Sequence, residues 1–306
     1  MTHSGDDSDT GLPASLAAAW GLRERPTKGP RPGLTLERIV DAAVALAVRE
    51  GLAAVSMGRV AKELGVATMS LYRYVAAKDE LYVLMLDAAV GPPGPPPPAD
   101  AGWREALTAW AEAYRQALHR NRWSLRIPVS GPPVTPHSFA WWERGLTALE
   151  ATELDEGEKL AMIVVITGFV RNEVQMMTEI EEAVAASGAS PEDAMRRHER
   201  VLRQLADPAR YPALARLLDT GALTGASDPD EDFAFGLDTV LDGVAVLVAR
   251  KEQERAVAAE SKGAVAGSKS VATGAKGVPA GSKGVVTEAT TREPVERPAV
   301  RTPHGL

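Results

Sequence analysis

The run GPPGPPPP at residues 91–98 constrains this chain more than any other stretch. Proline lacks the backbone donor and clashes with the preceding helical turn, so no helix continues through it. A stiff polyproline II connector is expected there, with a domain boundary at the run or slightly before it. The 306 residues then divide into an N-terminal arm (1–33, largely disordered), a small domain (34–82), a larger domain (83–253) and a tail (254–306).

The small domain reads as a set of short helices. Thr35 is a plausible cap for the first. Leu36, Ile39, Val40, Ala43 and Ala47 recur along one face of it, and Gly51 ends it. Ser56 caps the second, whose buried face is Met57, Val60, Ala61 and Leu64, and Gly65 breaks it. A third helix is expected over Thr68–Val75 and a fourth from near Lys78 to Gly91. The larger domain gives Trp103–His119, Ser138–Glu150, a long apolar helix after the Asp155/Glu158 capping pair, a helix opened by Ser190-Pro191, and a last one at 233–250. Nothing alternates with a period of two between turn signals, so the fold class is all-α. Residues 260–287 repeat every seven with Lys262, Lys269, Lys276 and Lys283 in register. Each unit offers too little apolar surface to offset backbone ordering, so disorder is expected from 254 onward.

Composition excludes several classes. With no cysteine there is no disulfide scaffold, Cys-ligated zinc or thiol nucleophile. No stretch approaches 18 uninterrupted apolar residues, so no transmembrane segment is expected. The acidic start MTHSGDDSDTG does not resemble a signal peptide, which points to a cytoplasmic protein. Net charge is −7, yet basic residues outnumber acidic ones from Arg23 to Lys78. The local pattern decides phosphate binding, not the total. Arg23, Arg25, Lys28 and Arg31 form a basic arm suited to a minor groove, or a solvated leader.

SMGRVAKELGVATMSLYRYVAAKDEL meets the requirements of a helix-turn-helix. Small Ala61 suits the helix crossing, Gly65 the turn, and Val66, Leu71 and Val75 the burial of the second helix. That leaves Thr68, Met69, Ser70 and Arg73 facing outward as base readers. Tyr72, Tyr74 and Lys78 are placed for phosphates. Ser56, with the amides behind it, is placed for another.

GVATMSLYRYVAAKDEL resembles the signature of TetR (tetracycline-repressor-like) regulators, with Gly65, Val66, Leu71, Tyr72, Tyr74 and Lys78 filling its places. FAFGLDTVLDGVAVLV at 233–248 resembles the final helix of the tetracycline-repressor subgroup. The resemblance implies an all-α homodimer: an N-terminal three-helix helix-turn-helix domain and a C-terminal helical ligand-binding and dimerisation domain. The last helix and the long one before it would form a four-helix dimer interface. It also implies double-stranded operator DNA as partner and a small-molecule inducer, largely apolar. Its base-reading positions fall on Thr68, Met69, Ser70 and Arg73, and its phosphate contacts on Ser56, Tyr72, Tyr74 and Lys78. Gly58 stands where tetracycline repressors carry a base-reading arginine. Arg59 is adjacent but about 100° round the helix, and it joins the candidate DNA-binding residues. The loop near Leu125–Ile127 lacks the metal-binding histidine of true tetracycline repressors.

For a ligand, Trp110, Trp123, Trp141, Phe169 and Met176 would line an apolar pocket, with Asn172 or Glu173 supplying a hydrogen bond. Core packing of the aromatics, and a solvent or interface place for Asn172 and Glu173, are the plain alternatives. No GxSxG, P-loop, GxGxxG or HExxH occurs, so no enzyme, cofactor or metal is expected. Control by a protein partner, without a small-molecule inducer, is the competing reading.

Overall fold

A computed structural model describes residues 11–22, 33–98, 100–128, 131, 134–223 and 228–273. Among the described residues there are eleven α-helices and no strand. They are α1 (Ala14–Ala19), α2 (Leu36–Glu50), α3 (Met57–Leu64), α4 (Thr68–Leu71), α5 (Lys78–Val90), α6 (Trp103–Arg120), α7 (Pro136–Ala148), α8 (Glu156–Ser187), α9 (Pro191–Leu205), α10 (Pro212–Asp219) and α11 (Pro229–Thr273). Single 3-10 turns lie at Leu52–Ala54 and Arg122–Arg126. The chain divides at Arg255 into two units, and the second begins with the remainder of α11.

The helix ends follow the local chemistry. Thr35 accepts from the Arg38 amide and Ser56 from the Arg59 amide. Asp155 and Glu158 make a full capping box at α8, and Ser190 accepts from the Asp193 amide at α9. Each side-chain oxygen satisfies a donor that the first helical turn leaves unpaired. Gly65 adopts φ 67°, the left-handed conformation that only glycine takes without strain. It turns the chain from α3 into α4.

Two hydrophobic cores result. The N-terminal core holds Ile39, Ala43 and Leu46 of α2, Val60 and Ala61 of α3, Leu71 and Val75 around α4, and Leu81 and Met85 of α5. The C-terminal core holds Leu107, Trp110 and Leu118 of α6, Trp141 of α7, Ile163, Ile166, Val170 and Val174 of α8, and Leu237, Leu241 and Val244 of α11. Burying each large side chain contributes about 1.5–3 kcal/mol, enough to hold helices as short as α4 that could not persist alone.

Several details go beyond the expectations. As expected, one helix spans Lys78 to Val90, and it crosses the 82/83 boundary. The 1–33 arm is not without structure: α1 buries Ser15, Leu16 and Ala17. A six-residue helix is visible in sequence only as a short apolar piece, because its stability comes from docking. Arg23, Arg25, Lys28 and Arg31 lie outside the described residues. Helix α11 continues past 254, and its described residues run to Thr273. Ala, Arg, Lys and Glu of 249–260 propagate a helix already nucleated by the core. Helix α10 was not anticipated. Helix α8 is, by length and composition, apolar enough to cross a membrane. Counting only uninterrupted apolar runs missed this, yet one of its faces is spent on the C-terminal core.

Gly145 of α7 is required by a close approach: a Cβ there would meet Ile163 Cδ1 at 2.7 Å and Trp110 Cε2 at 3.2 Å. Overpacking typically costs about 1–3 kcal/mol, while alanine gains about 1 kcal/mol of helix propensity. Gly145→Ala should therefore destabilise by about 1 kcal/mol, lowering Tm by a few degrees in thermal denaturation, where a surface glycine would give a gain.

Candidate nucleic-acid interface

Helix α4 is only one turn, continued by hydrogen-bonded turns in which the Tyr74 and Val75 amides donate to the Leu71 carbonyl at 2.8 and 3.0 Å. Leu71 and Val75 are fully buried and Val66 packs against the same core. The opposite side is open: Met69 is 74% and Tyr72 42% exposed, Arg73 is exposed, and Thr68 and Ser70 are half-buried. The expected inward–outward division is therefore present. Ser56 and Lys78 are exposed on the flanks, the Lys78 ammonium 4.9 Å from the Tyr82 ring.

Two candidates stand differently from expectation. The Tyr74 hydroxyl donates to the Leu34 carbonyl at 2.9 Å. It fastens the start of α2 to the turn after α4, so its donor is not offered outward to a phosphate. Sequence spacing placed Tyr74 on the same flank as Tyr72 but could not show this partner. Arg59 is held by Glu50 at 2.5 Å, and Arg49 bridges Glu50 and Glu63 at 3.1 and 2.7 Å. The Arg59 hydrogen bond, outweighing some desolvation, holds the Glu50 carboxyl below its ordinary range.

A joint connects this bundle to the next. Asp87, buried near the end of α5, accepts the His137 and Ser138 amides with Oδ1 at 3.1 and 3.2 Å. It thereby caps α7 from another helix, and the His137 ring nitrogen Nδ1 lies 3.1 Å from Oδ2. In return, Asn121 donates to the Ala89 carbonyl at 2.9 Å and Trp141 to the Gly91 carbonyl at 2.8 Å. The open C-terminal carbonyls of α5 are thus satisfied by the larger bundle.

The seven pocket candidates are not brought together. Trp110 and Trp141 are buried side by side, ring centroids 6.3 Å apart, with Tyr114 stacked on Trp110. Phe169 is stacked on Phe233 instead. Trp123 packs on the N-terminal core, its indole donating to Asn121 at 3.2 Å. Asn172 is exposed and Met176 51% exposed, facing away from the core. Glu173 is taken by Arg115 through two contacts of 3.1 and 3.0 Å. The spacing that suggested a pocket is that of core packing and of an open helix face. Two clefts among the described residues lie apart from these side chains, one of about 430 Å³ between α9 and α10 and one of about 520 Å³ beside the start of α6.

Arg115 also reaches Asp230 and lies 4.3 Å from the Phe233 ring centre. Burial works against its charge, but the two carboxylates prevail and hold it above its ordinary value. Nearby His119 is pushed below 6.5 by burial, then by Arg115 and Arg122, against the weaker pull of Glu173 and Glu181.

Residues 39–85 match the bacterial regulatory proteins of the tetR family, and residues 95–248 match the tetracyclin repressor-like C-terminal domain. The chain belongs to the TetR family. It is 38% identical over 244 residues to the HTH-type transcriptional repressor DrrR1 of Streptomyces coeruleorubidus, covering 79% of this chain and 88% of that one. It is 30% identical over 198 residues to an HTH-type transcriptional regulator of Saccharopolyspora erythraea, covering 65% and 80%. Among solved structures, apo ActR from Streptomyces coelicolor superposes with a TM-score of 0.60 at 25% identity, over 72% of this chain and 99% of that one. ActR in complex with actinorhodin gives 0.58 at 26% identity, over 72% and 99%. This TetR-family protein is a transcriptional repressor, and the family is one of regulators, not enzymes.

Asp87→Ala should strip the α7 cap and strand two amides, costing about 1–3 kcal/mol in urea unfolding. The folded state favours neutral His119, so the unfolded chain takes the proton first as pH falls below about 6.5. Stability is then lost on acidification. The Tm advantage of the wild type over His119→Gln should shrink between about pH 7.5 and pH 5.5, and a constant difference would contradict the assignment.

Proposed function

We propose that this repressor acts as a homodimer whose two α4 helices enter successive major grooves of a palindromic operator, with half-sites about 34 Å apart or a multiple of one turn. The observation that carries this is the division of α4, with Leu71 and Val75 fully buried beneath an open Met69, Tyr72 and Arg73. Thr68, Met69, Ser70 and Arg73 read bases; Ser56, Tyr72 and Lys78 hold phosphates, with Arg59 available once it leaves Glu50. Action on chromosomal DNA fits a cytoplasmic protein. Leu160, Val164, Met176 and Ile180 of α8, with Phe235 and Val246 of α11, are exposed large hydrophobics. Such a face in water calls for a partner, and a second copy forming the four-helix interface of the family supplies it.

Release is by a small, largely apolar molecule in the α6–α8 bundle. The support is the likeness to ActR, whose structure holds actinorhodin, and the Trp110–Tyr114–Trp141 cluster. Such a molecule must bind the DNA-incompetent arrangement more tightly, or it shifts nothing. Control by a protein partner is the second reading, favoured by the close packing of that cluster in this arrangement. Addition of actinorhodin to the repressor–DNA complex separates the two: displacement supports the first reading.

The probe is a duplex recovered from a random-sequence pool by the wild-type protein. Arg73→Ala should lose about 1–3 kcal/mol on that duplex and relax its specificity. Lys78→Ala should weaken all duplexes alike and lower the slope of log K against log salt by about one. A gel shift at physiological salt showing no preference by a folded dimer would overturn the reading. Val246→Glu should shift the protein to monomer in sedimentation.

A further inference from the structure

Residues 14–20 precede both segments that match the family, yet they are built into the joint described above. A six-residue helix does not persist in water by itself. Its order here comes from contact with α2 and α5, which buries Leu16 in the N-terminal core.

Its two ends make polar contacts of different kinds. The fully buried Ser15 hydroxyl donates to Glu80 Oε2 at 2.7 Å. That same oxygen accepts the Ala76 amide at 3.2 Å, in the turn that follows the reading helix. Five residues after Ser15, the Trp20 indole N–H donates to the Val134 carbonyl at 2.8 Å. Its ring meets Phe139 edge-on at 5.0 Å between centres. Phe139 belongs to the first turn of α7, the turn capped by Asp87.

We propose that α1 is a strap that positions the reading helix from the sensor side: Trp20 grips the start of α7, and Ser15, through Glu80, holds the turn behind α4. It runs beside the Asp87 joint as a second linkage. The Asp87 joint acts on α4 through most of the length of α5, whereas the strap enters that helix at Glu80 in its first turn, the residue that also holds the Ala76 amide. Trp20 and Ser15 are positioning residues and touch no DNA. The functional side of the inference rests on the DNA-reading role proposed for α4, while the strap itself stands on contacts within the chain.

The test is amide hydrogen exchange on the full-length chain, read at three places: the α7 start (His137–Ala140), the turn at Ala76, and the α8 core (Ile163–Val174). Trp20→Ala should raise exchange at the first two by about tenfold and leave the third unchanged. Trp20→Phe keeps the ring contact and loses the donor, so it should give a smaller rise. Ser15→Ala should loosen the Ala76 turn while sparing the α7 start. On the selected duplex, Trp20→Ala should weaken binding several-fold with Trp20→Phe between. Faster exchange confined to α1, or an equal rise at all three places, overturns the strap, since either is what mere local or global destabilisation gives. If Trp20→Ala does not fold, Trp20→Phe and Ser15→Ala still decide the matter by the same pattern. If the wild type selects no duplex, the reading of α4 fails, while the exchange pattern still judges the strap.

Discussion

The structure depends on one helix belonging to two cores. Leu81, Leu84 and Met85 of α5 are buried with α2, α3 and α4, while Val90 packs against the core of α6, α8 and α11. A helix of this length is a rod of about 20 Å whose internal hydrogen bonds resist bending. Neither end is free to slip. At the far end Asp87 is locked to the first turn of α7, and the carbonyls of Ala89 and Gly91 are taken by Asn121 and Trp141. Arg144 also donates to the Pro95 carbonyl at 2.9 Å, which holds the proline run against α7. A shift of α6 or α7 must therefore carry α5 with it or leave buried polar groups unpaired, and carrying α5 is the cheaper course.

The 3-10 turn at Arg122–Arg126 strengthens this. Leu125 is buried in the C-terminal core, whereas Trp123 and Ile127 go to the N-terminal one. The chain crosses between cores within a few residues. The buried Ser124 hydroxyl at the crossing has no hydrogen-bond partner.

Much of this was legible in sequence because it is local. Caps at Thr35, Ser56, Asp155 and Ser190, the glycine at 65 and the burial of Leu71 and Val75 follow from chemistry within a turn or two of the residue concerned. What was not legible is set by distant partners. Nothing near Trp123 says that it faces the first bundle, and nothing near Tyr74 says that its hydroxyl will find Leu34, 40 residues away. Glu173 looked like a polar group in need of a ligand, and Arg115 on α6 satisfies it. Asn172, adjacent in sequence, sits about 100° round the helix and is open. Helix α1 was hidden for the converse reason: its order comes wholly from what it docks on. The C-terminal part of α11 is not legible from its glycine content alone, because the long helix upstream has already met the cost of nucleation.

The remaining question is how a chain of net charge −7 approaches a polyanion. The answer lies in how cations near α3 and α4 are held. Arg59 is paired to Glu50, but in an exposed position, where an ion pair contributes roughly 0–1 kcal/mol. Arg49 already spans both Glu50 and Glu63. If Arg59 swings to a phosphate, Glu50 keeps Arg49, so no carboxylate is stranded. The guanidinium can therefore leave Glu50 at low cost, as the phosphate contact proposed for it requires. The acidic groups that dominate the total charge do not oppose this, since Debye screening confines their influence to about 8–10 Å.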